Sequence, residues 1–249
     1  MRAEFEITDR CNLNCLWCYF PCTTSNSIHM DINFFKKAVN TMAKIGIDEV
    51  HISGGEPLFH PKLLEFLEFV TKHSKIHKIV LETNGILLSN HIIVSLSNMP
   101  KLLLRVSVPG YTSYCRLTGK DLVHLVLKNI CNAIKQGGKV EVNFVLSKYN
   151  KDDLISTFEE VSKCHVHFFR ITPVKGAPPS FSLDKNEIQK RFSLLTKHYR
   201  QFGIPKIYVA PKTPERRIFV SPSGQLRWDP FNFEDTFSLD GLDQINREV

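Results

Sequence analysis

Residues 3–20 read AEFEITDRCNLNCLWCYF. Residues 3–8 alternate apolar and polar side chains, the period of a strand with one buried face. A polar loop follows at once and carries Cys11, Cys15 and Cys18 in a C-x3-C-x2-C spacing. In an α/β fold, ligands sit at the carboxyl ends of the strands, so a loop directly after the first strand belongs to the active-site face. Three thiolates fall one short of the four ligands of a structural zinc site or of a fully ligated iron–sulfur cube. Cys22 extends the run to C-x3-C-x2-C-x3-C. It therefore leaves four-cysteine binding, of ferredoxin or zinc-knuckle type, as an alternative to a cluster with one open iron.

Downstream, the hydrophobic period switches repeatedly between two and 3.6. Helical spacing is expected over 30–46, 61–73, 90–97, 121–137 and 152–163. Strands are expected over 49–53, 78–83, 102–108, 139–147 and 166–172. Strands alternating with helices pair in parallel through right-handed crossovers. Six βα units predict an α/β fold of partial (β/α)6 TIM-like barrel type. An open doubly wound sheet shares the same pattern. After residue 175 the style changes to a Pro/Gly/Ser loop, a helix over 184–203, the short stretch KIYVA, and RIFVSPSGQLRW, which reads as a β-hairpin. The expected organisation is a core of residues 1–175 and a small helix-plus-hairpin appendage, 176–249, capping the barrel.

The 249 residues are 43% hydrophobic and 23% charged, as in ordinary globular proteins. No apolar run approaches the ~20 residues that span a bilayer, and the N-terminus lacks an apolar signal core. The expectation is a cytoplasmic protein with no membrane partner. The formal charge of +7 is that of a solvated basic surface or of one that meets an anionic partner. No arginine-rich arm or aromatic RNA-binding motif points to nucleic acid. Cys115, Cys131 and Cys164 are expected to be buried packing residues, as free cysteine often is.

Polar features recur at the predicted strand ends. SGGEP (53–57) follows the second strand; its adjacent glycines allow close backbone approach, and Glu56 is suited to an ammonium group. ETNG (82–85) follows the third strand, and Ser107 ends the fourth. TDRCNLNCLWCY, SGGEP and ETNG, in this order, resemble the radical S-adenosylmethionine (radical SAM) superfamily. That resemblance implies a [4Fe–4S] cluster on Cys11, Cys15 and Cys18, with SAM on the fourth iron. It also implies SAM contacts from Gly54, Gly55, Glu56 and Pro57, from Thr83, Asn84 and Ser107, and from Trp17 and Tyr19 in the loop. Ile171 and Val145 are expected to pack on the adenine. The implied chemistry is reductive cleavage of SAM to a 5′-deoxyadenosyl radical that abstracts a hydrogen atom from substrate. Flavodoxin or ferredoxin is the implied electron donor.

EITDRCNLNC, the stretch from Arg116 to Asn150, FFRITPVKG and the C-terminal hairpin resemble more closely the GTP 3′,8-cyclases of molybdenum cofactor biosynthesis. Members of that family place a second cluster on three C-terminal cysteines. Here no cysteine follows Cys164, and Trp228 and Asp229 stand near a ligand position. The appendage is therefore expected to be metal-free and the substrate to differ from GTP. Arg170, Lys175, Arg216, Arg217 and Arg227 are candidate substrate contacts. A small nucleotide-like or natural-product substrate is the leading expectation. A ribosomally made peptide, activation of a glycyl-radical enzyme, and an electron-carrier role are the alternatives.

Overall fold

The computed structural model describes residues 1–25, 27–199, 206–210, 217–229, 232 and 234–240. Six βα units come first: β1 (Arg2–Glu6), α1 (Ile32–Lys44), β2 (Glu49–Ser53), α2 (Leu63–Lys72), β3 (Lys78–Thr83), α3 (Asn90–Ser97), β4 (Leu102–Ser107), α4 (Tyr114–Thr118), α5 (Val123–Lys135), β5 (Val140–Leu146), α6 (Leu154–Ser162) and β6 (Phe168–Pro173). Then follow α7 (Lys185–Tyr199), β7 (Lys206–Val209), β8 (Arg217–Val220) and β9 (Leu226–Arg227). One sheet runs in the order β7-β6-β5-β4-β3-β2-β1-β8-β9. All pairings are parallel except β8 with β9. Among the described residues the ends of that order, β7 and β9, are not paired with each other, so the barrel is partial, as the six repeats predict. The strands after residue 175 join the same sheet, β7 beyond β6 on one edge and β8 and β9 beyond β1 on the other.

Parallel strands are usually apolar on both faces. These are not, because the inner face lines a polar space. Phe5, Ile52, Leu81, Leu104, Val142, Phe144 and Ile171 point outward into the core beneath the helices. Their neighbours, such as Glu4, His51, Glu82, Arg105 and Asn143, point inward. The two-residue period of a strand makes this sorting strict.

The helices are capped locally. Asp31 accepts from the backbone N–H of Asn33 and Phe34 at the start of α1, and Ser89 caps α3. The sequence reading contains no α4, a five-residue helix ended by Gly119 in the left-handed conformation. A single turn of this kind carries no amphipathic period to detect.

The scattered cysteines differ from expectation. Cys131 on α5 and Cys164 after α6 form a disulfide with a Cα–Cα distance of 4.6 Å, and Cys115 is exposed. α5 and α6 cover adjacent parts of the sheet. This brings together two residues whose separation of 33 positions gave no hint of contact.

Candidate active site

The carboxyl ends of the strands enclose a cavity of about 520 Å³, within the range of about 300–1,000 Å³ usual for small-molecule sites. Its upper wall is the loop after β1. The loop is built by backbone pairing: Cys11 N–H donates to Thr23 O at 3.2 Å, and Thr23 N–H donates to Asp9 O at 2.9 Å. The unexpected α4 supplies the second anchor. Asn14 and Leu16 donate to the carbonyls of Thr118 and Leu117, each at 3.1 Å. These carbonyls lie in the last turn of α4 and have no partner within the helix.

Cys11, Cys15, Cys18 and Cys22 all line this cavity and are free thiols. Cys22 Sγ lies 3.9 Å from Cys18 Sγ. Hydrogen bonding from Cys22 draws Cys11 and Cys18 down to about 7, whereas burial pushes Cys15 up to about 12. Among the described residues, no three or more His, Cys, Asp or Glu side chains gather round one ion-sized point.

The SGGEP segment, whose Gly54 and Gly55 line the cavity, also packs against the cysteine loop. Gly55 N–H donates to Thr8 O at 2.8 Å and Glu56 N–H to Arg10 O at 2.7 Å. A Cβ on Gly54 would lie 2.3 Å from Thr8 O, and one on Gly55 would lie 2.4 Å from Arg10 O. The close approach is to the cysteine loop's own backbone. Glu56 is fully buried rather than open to an ammonium group. Its carboxylate accepts from Thr83 Oγ1 at 2.6 Å, Asn84 N–H at 2.8 Å and Leu58 N–H at 3.2 Å. Burial nonetheless pushes it up to about 7. Glu56 thus locks the end of β3 to the loop after β2, and Pro57 is buried in the 3-10 turn that follows.

The other expected contacts sort by strand parity. Trp17, Tyr19, Gly54, Gly55, Thr83, Asn84, Ser107 and Val145 line the cavity. Ile171 does not: it points into the core, while its neighbours Arg170 and Thr172 face the cavity. Asn84 is held by a 2.7 Å bond from its Nδ2 to Asn12 Oδ1. Lys175 and Arg217 reach the wall. Arg227 is instead buried, donating through Nη2 to both carboxylate oxygens of Glu6 at 2.6 and 2.7 Å. Arg216 lies outside the described residues.

Sequence reading missed the charged floor. Arg105 Nη1 donates to Glu82 at 2.6 Å, and Arg105 Nε donates to Glu141. His51 lies between Glu82, at 3.2 Å, and Glu49, at 2.5 Å. Tyr208 of β7 donates to Glu141. Against the penalty of burial, Arg105 and His51 hold Glu82 well below the usual carboxylate range, and His51 and Lys78 hold Glu49 at about 2. The signal in the sequence was a charged residue at an inner position in each of β2 to β6. It stands out once strand parity is known.

Both carboxylates release their protons more readily folded than unfolded. Their stabilisation is complete above about pH 4.5 and is lost as pH falls towards 2. The urea midpoint should therefore drop over that interval. Glu49→Gln should flatten the slope, removing on the order of 2–3 kcal/mol of pH-dependent stability. A midpoint constant from pH 5 to pH 3 would contradict this.

A thiol-bearing loop on the first strand, anchored by a GGEP turn above a polar barrel interior, matches known proteins. The family described as "Radical SAM superfamily" matches residues 5–161, more than half of the chain. The chain belongs to the radical SAM superfamily. Radical SAM proteins of this kind include the GTP 3′,8-cyclase of Synechocystis sp., 28% identical over 167 residues, covering 65% of this chain and 50% of that one. The GTP 3′,8-cyclase of Clostridium perfringens strain SM101 is 27% identical over 179 residues, covering 69% of this chain and 55% of that one. The chain spans about half the length of these curated relatives. Among solved radical SAM structures, Streptococcus suis SuiB bound to S-adenosylmethionine superposes with a TM-score of 0.83 at 14% identity, covering 97% of this chain and 65% of SuiB. The anSMEcpe structure with bound AdoMet gives 0.79 at 16% identity, covering 100% of this chain and 77% of that one. These likenesses show the partial-barrel fold. No helix among the described residues is long and apolar enough to cross a membrane.

Proposed function

We propose that Cys11, Cys15 and Cys18 hold one [4Fe–4S] cluster, that SAM lies beneath it in the cavity, and that an anionic small substrate is anchored on the cavity floor by Arg170. The chemistry these cofactors supply is one-electron cleavage of the sulfonium, which delivers an oxidant able to take a hydrogen atom from carbon. The chain's own residues position and shield that event. Gly54 and Gly55 press the cysteine loop against β2, and Glu56 sets the end of β3, where Thr83 and Asn84 face the cavity. Trp17, Ser107 and Val145 form walls that restrict water and competing hydrogen donors.

The observation that carries the substrate reading is the state of Arg170. It lines the cavity, and among the described residues its buried Nε has no hydrogen-bond partner. The neighbouring Arg105 has already taken Glu82 and Glu141. A carboxylate or phosphate would satisfy the Arg170 guanidinium and its fork geometry. A peptide substrate is the second reading. It is favoured by the SuiB structure bound to precursor peptide SuiA, which superposes with a TM-score of 0.82 at 13% identity, and such a substrate would present a carboxylate to the same arginine. A flavodoxin or ferredoxin is the proposed electron donor.

Anaerobic reconstitution tests the cofactor reading. About four irons per chain are expected from the cubic cluster, with an electron paramagnetic resonance signal that shifts on adding SAM. Dithionite should then yield 5′-deoxyadenosine. Replacing Cys11, Cys15 and Cys18 by alanine should abolish iron binding, whereas Cys22→Ala should retain it. An unchanged signal with SAM, or loss of the cluster in Cys22→Ala, would refute the assignment.

A further inference from the structure

The barrel has a second mouth, at the amino ends of β3 to β7. A cavity of about 760 Å³ opens there, on the side of the sheet's charged layer away from the cysteine loop. Lys78, Lys101, Lys139 and Lys206 surround it, and His77 joins them. Among the described residues, Glu141 is the one carboxylate in its lining, and it is already committed to Arg105 and Tyr208. Two of the lysines are also engaged: Lys78 Nζ donates to Glu49 at 2.8 Å, and Lys101 Nζ to the carbonyl of His73 at 2.8 Å. Lys139 and Lys206 are exposed, and among the described residues neither has an ion pair. Lys139 Nζ lies 5.6 Å from the centroid of the Phe168 ring, on the cavity's apolar side.

Like charges brought together round a concavity repel one another unless an anion joins them. An arrangement whose only purpose was solubility would gain from spreading these lysines apart. The half-buried Phe168, with Leu103 and Ile207, offers a flat apolar surface beside the ammonium groups. The volume suits a small molecule, and the cavity is concave where a protein-docking face would be broad.

We propose that this lower cavity binds a nucleoside polyphosphate, with its phosphates on Lys139 and Lys206 and its base against Phe168. The site is separate from the reactive cavity but shares a wall with it. Glu141 and Tyr208 line the lower space, and Arg105, bonded to Glu141, lines the upper. Occupancy below therefore bears on the group that holds Arg105 above.

The test is calorimetric titration of the full-length reconstituted protein, with SAM present, using ATP and inorganic tripolyphosphate as probes. Saturable binding of one ATP per chain is expected, weakening as salt is raised. Lys139→Glu with Lys206→Glu should weaken both probes at least tenfold. Phe168→Ala should weaken ATP while leaving tripolyphosphate within twofold. Arg170→Gln, which removes the proposed anion anchor of the upper cavity, should leave both within twofold. The exposed lysines can be reversed in charge without disturbing the fold, and an unchanged circular dichroism melting curve checks this. Absence of saturable binding, indifference to the lysine variant, or loss of binding in Arg170→Gln would each overturn the proposal. None of these readouts depends on SAM cleavage, so failure here is distinguishable from failure of the cofactor reading.

Discussion

Arg227→Leu should lower the free energy of unfolding by about 3–5 kcal/mol, the penalty of stranding a buried charge whose partner has gone. Arg227 is 1% exposed and Glu6 is 1% exposed, and they meet through two short bonds to one guanidinium nitrogen. Removing the cation leaves Glu6 facing the nearby Glu4 in a medium that already pushes its carboxyl up to about 7. The double variant Glu6→Leu with Arg227→Leu should recover most of the loss, because apolar side chains of similar volume often replace a buried pair at little cost. Urea denaturation of the two single variants and the double closes the cycle. If Arg227→Leu alone costs under about 1 kcal/mol, the pair is not acting as a buried ion pair. The contact joins residues 221 positions apart, and Tyr19 of the cysteine loop is also hydrogen-bonded to Glu6. The single substitution should therefore also loosen that loop and weaken SAM binding.

Gly54→Ala should be comparably damaging, for a steric reason. Gly54 has φ +136°, and an added Cβ would stand 2.3 Å from Thr8 O and 3.1 Å from Thr8 N. Thr8 O accepts from Gly55 N–H, so it cannot move away without breaking the pairing that holds the cysteine loop to the GGEP turn. Backbone strain of about 1–3 kcal/mol and overpacking of about 1–3 kcal/mol add, giving a loss on the order of 2–6 kcal/mol. SAM affinity should fall at least tenfold, read by calorimetry on the reconstituted protein. Gly46→Ala is the control. Gly46 has φ +89°, but a Cβ added there would meet nothing within 4 Å, so it should show the conformational penalty alone, about 1–2 kcal/mol. Equal losses at the two glycines would mean that the close approach at Gly54 is unimportant.

Much of the barrel was legible because its signals are local. The strands at 49–53 and 78–83 and the helix at 90–97 stand where the periodicity put them. Asp31 announces its helix by the reach of its own side chain. The thiol run was equally legible, since C-x3-C-x2-C is a spacing within one loop. Ile171 was misplaced because the strand's parity relative to the cavity depends on its register with β5. That register pairs Ile171 with the outward-facing Phe144. Glu56 looked like a ligand group because its type and position suit one. Only three-dimensional packing shows that three donors of the protein already occupy it.

The amino-acid order by itself determined the βα alternation, the loop that carries the cysteines and the superfamily, because each rests on spacings of a few residues along one chain. The tertiary structure alone decided that Arg227 serves Glu6, that Cys131 joins Cys164, that α4 anchors the cysteine loop, and that a charged layer divides the barrel into two cavities. Those outcomes rest on which distant segments become neighbours. The chain reaches them by burying the outward face of every strand at once, and no short window of residues contains that information.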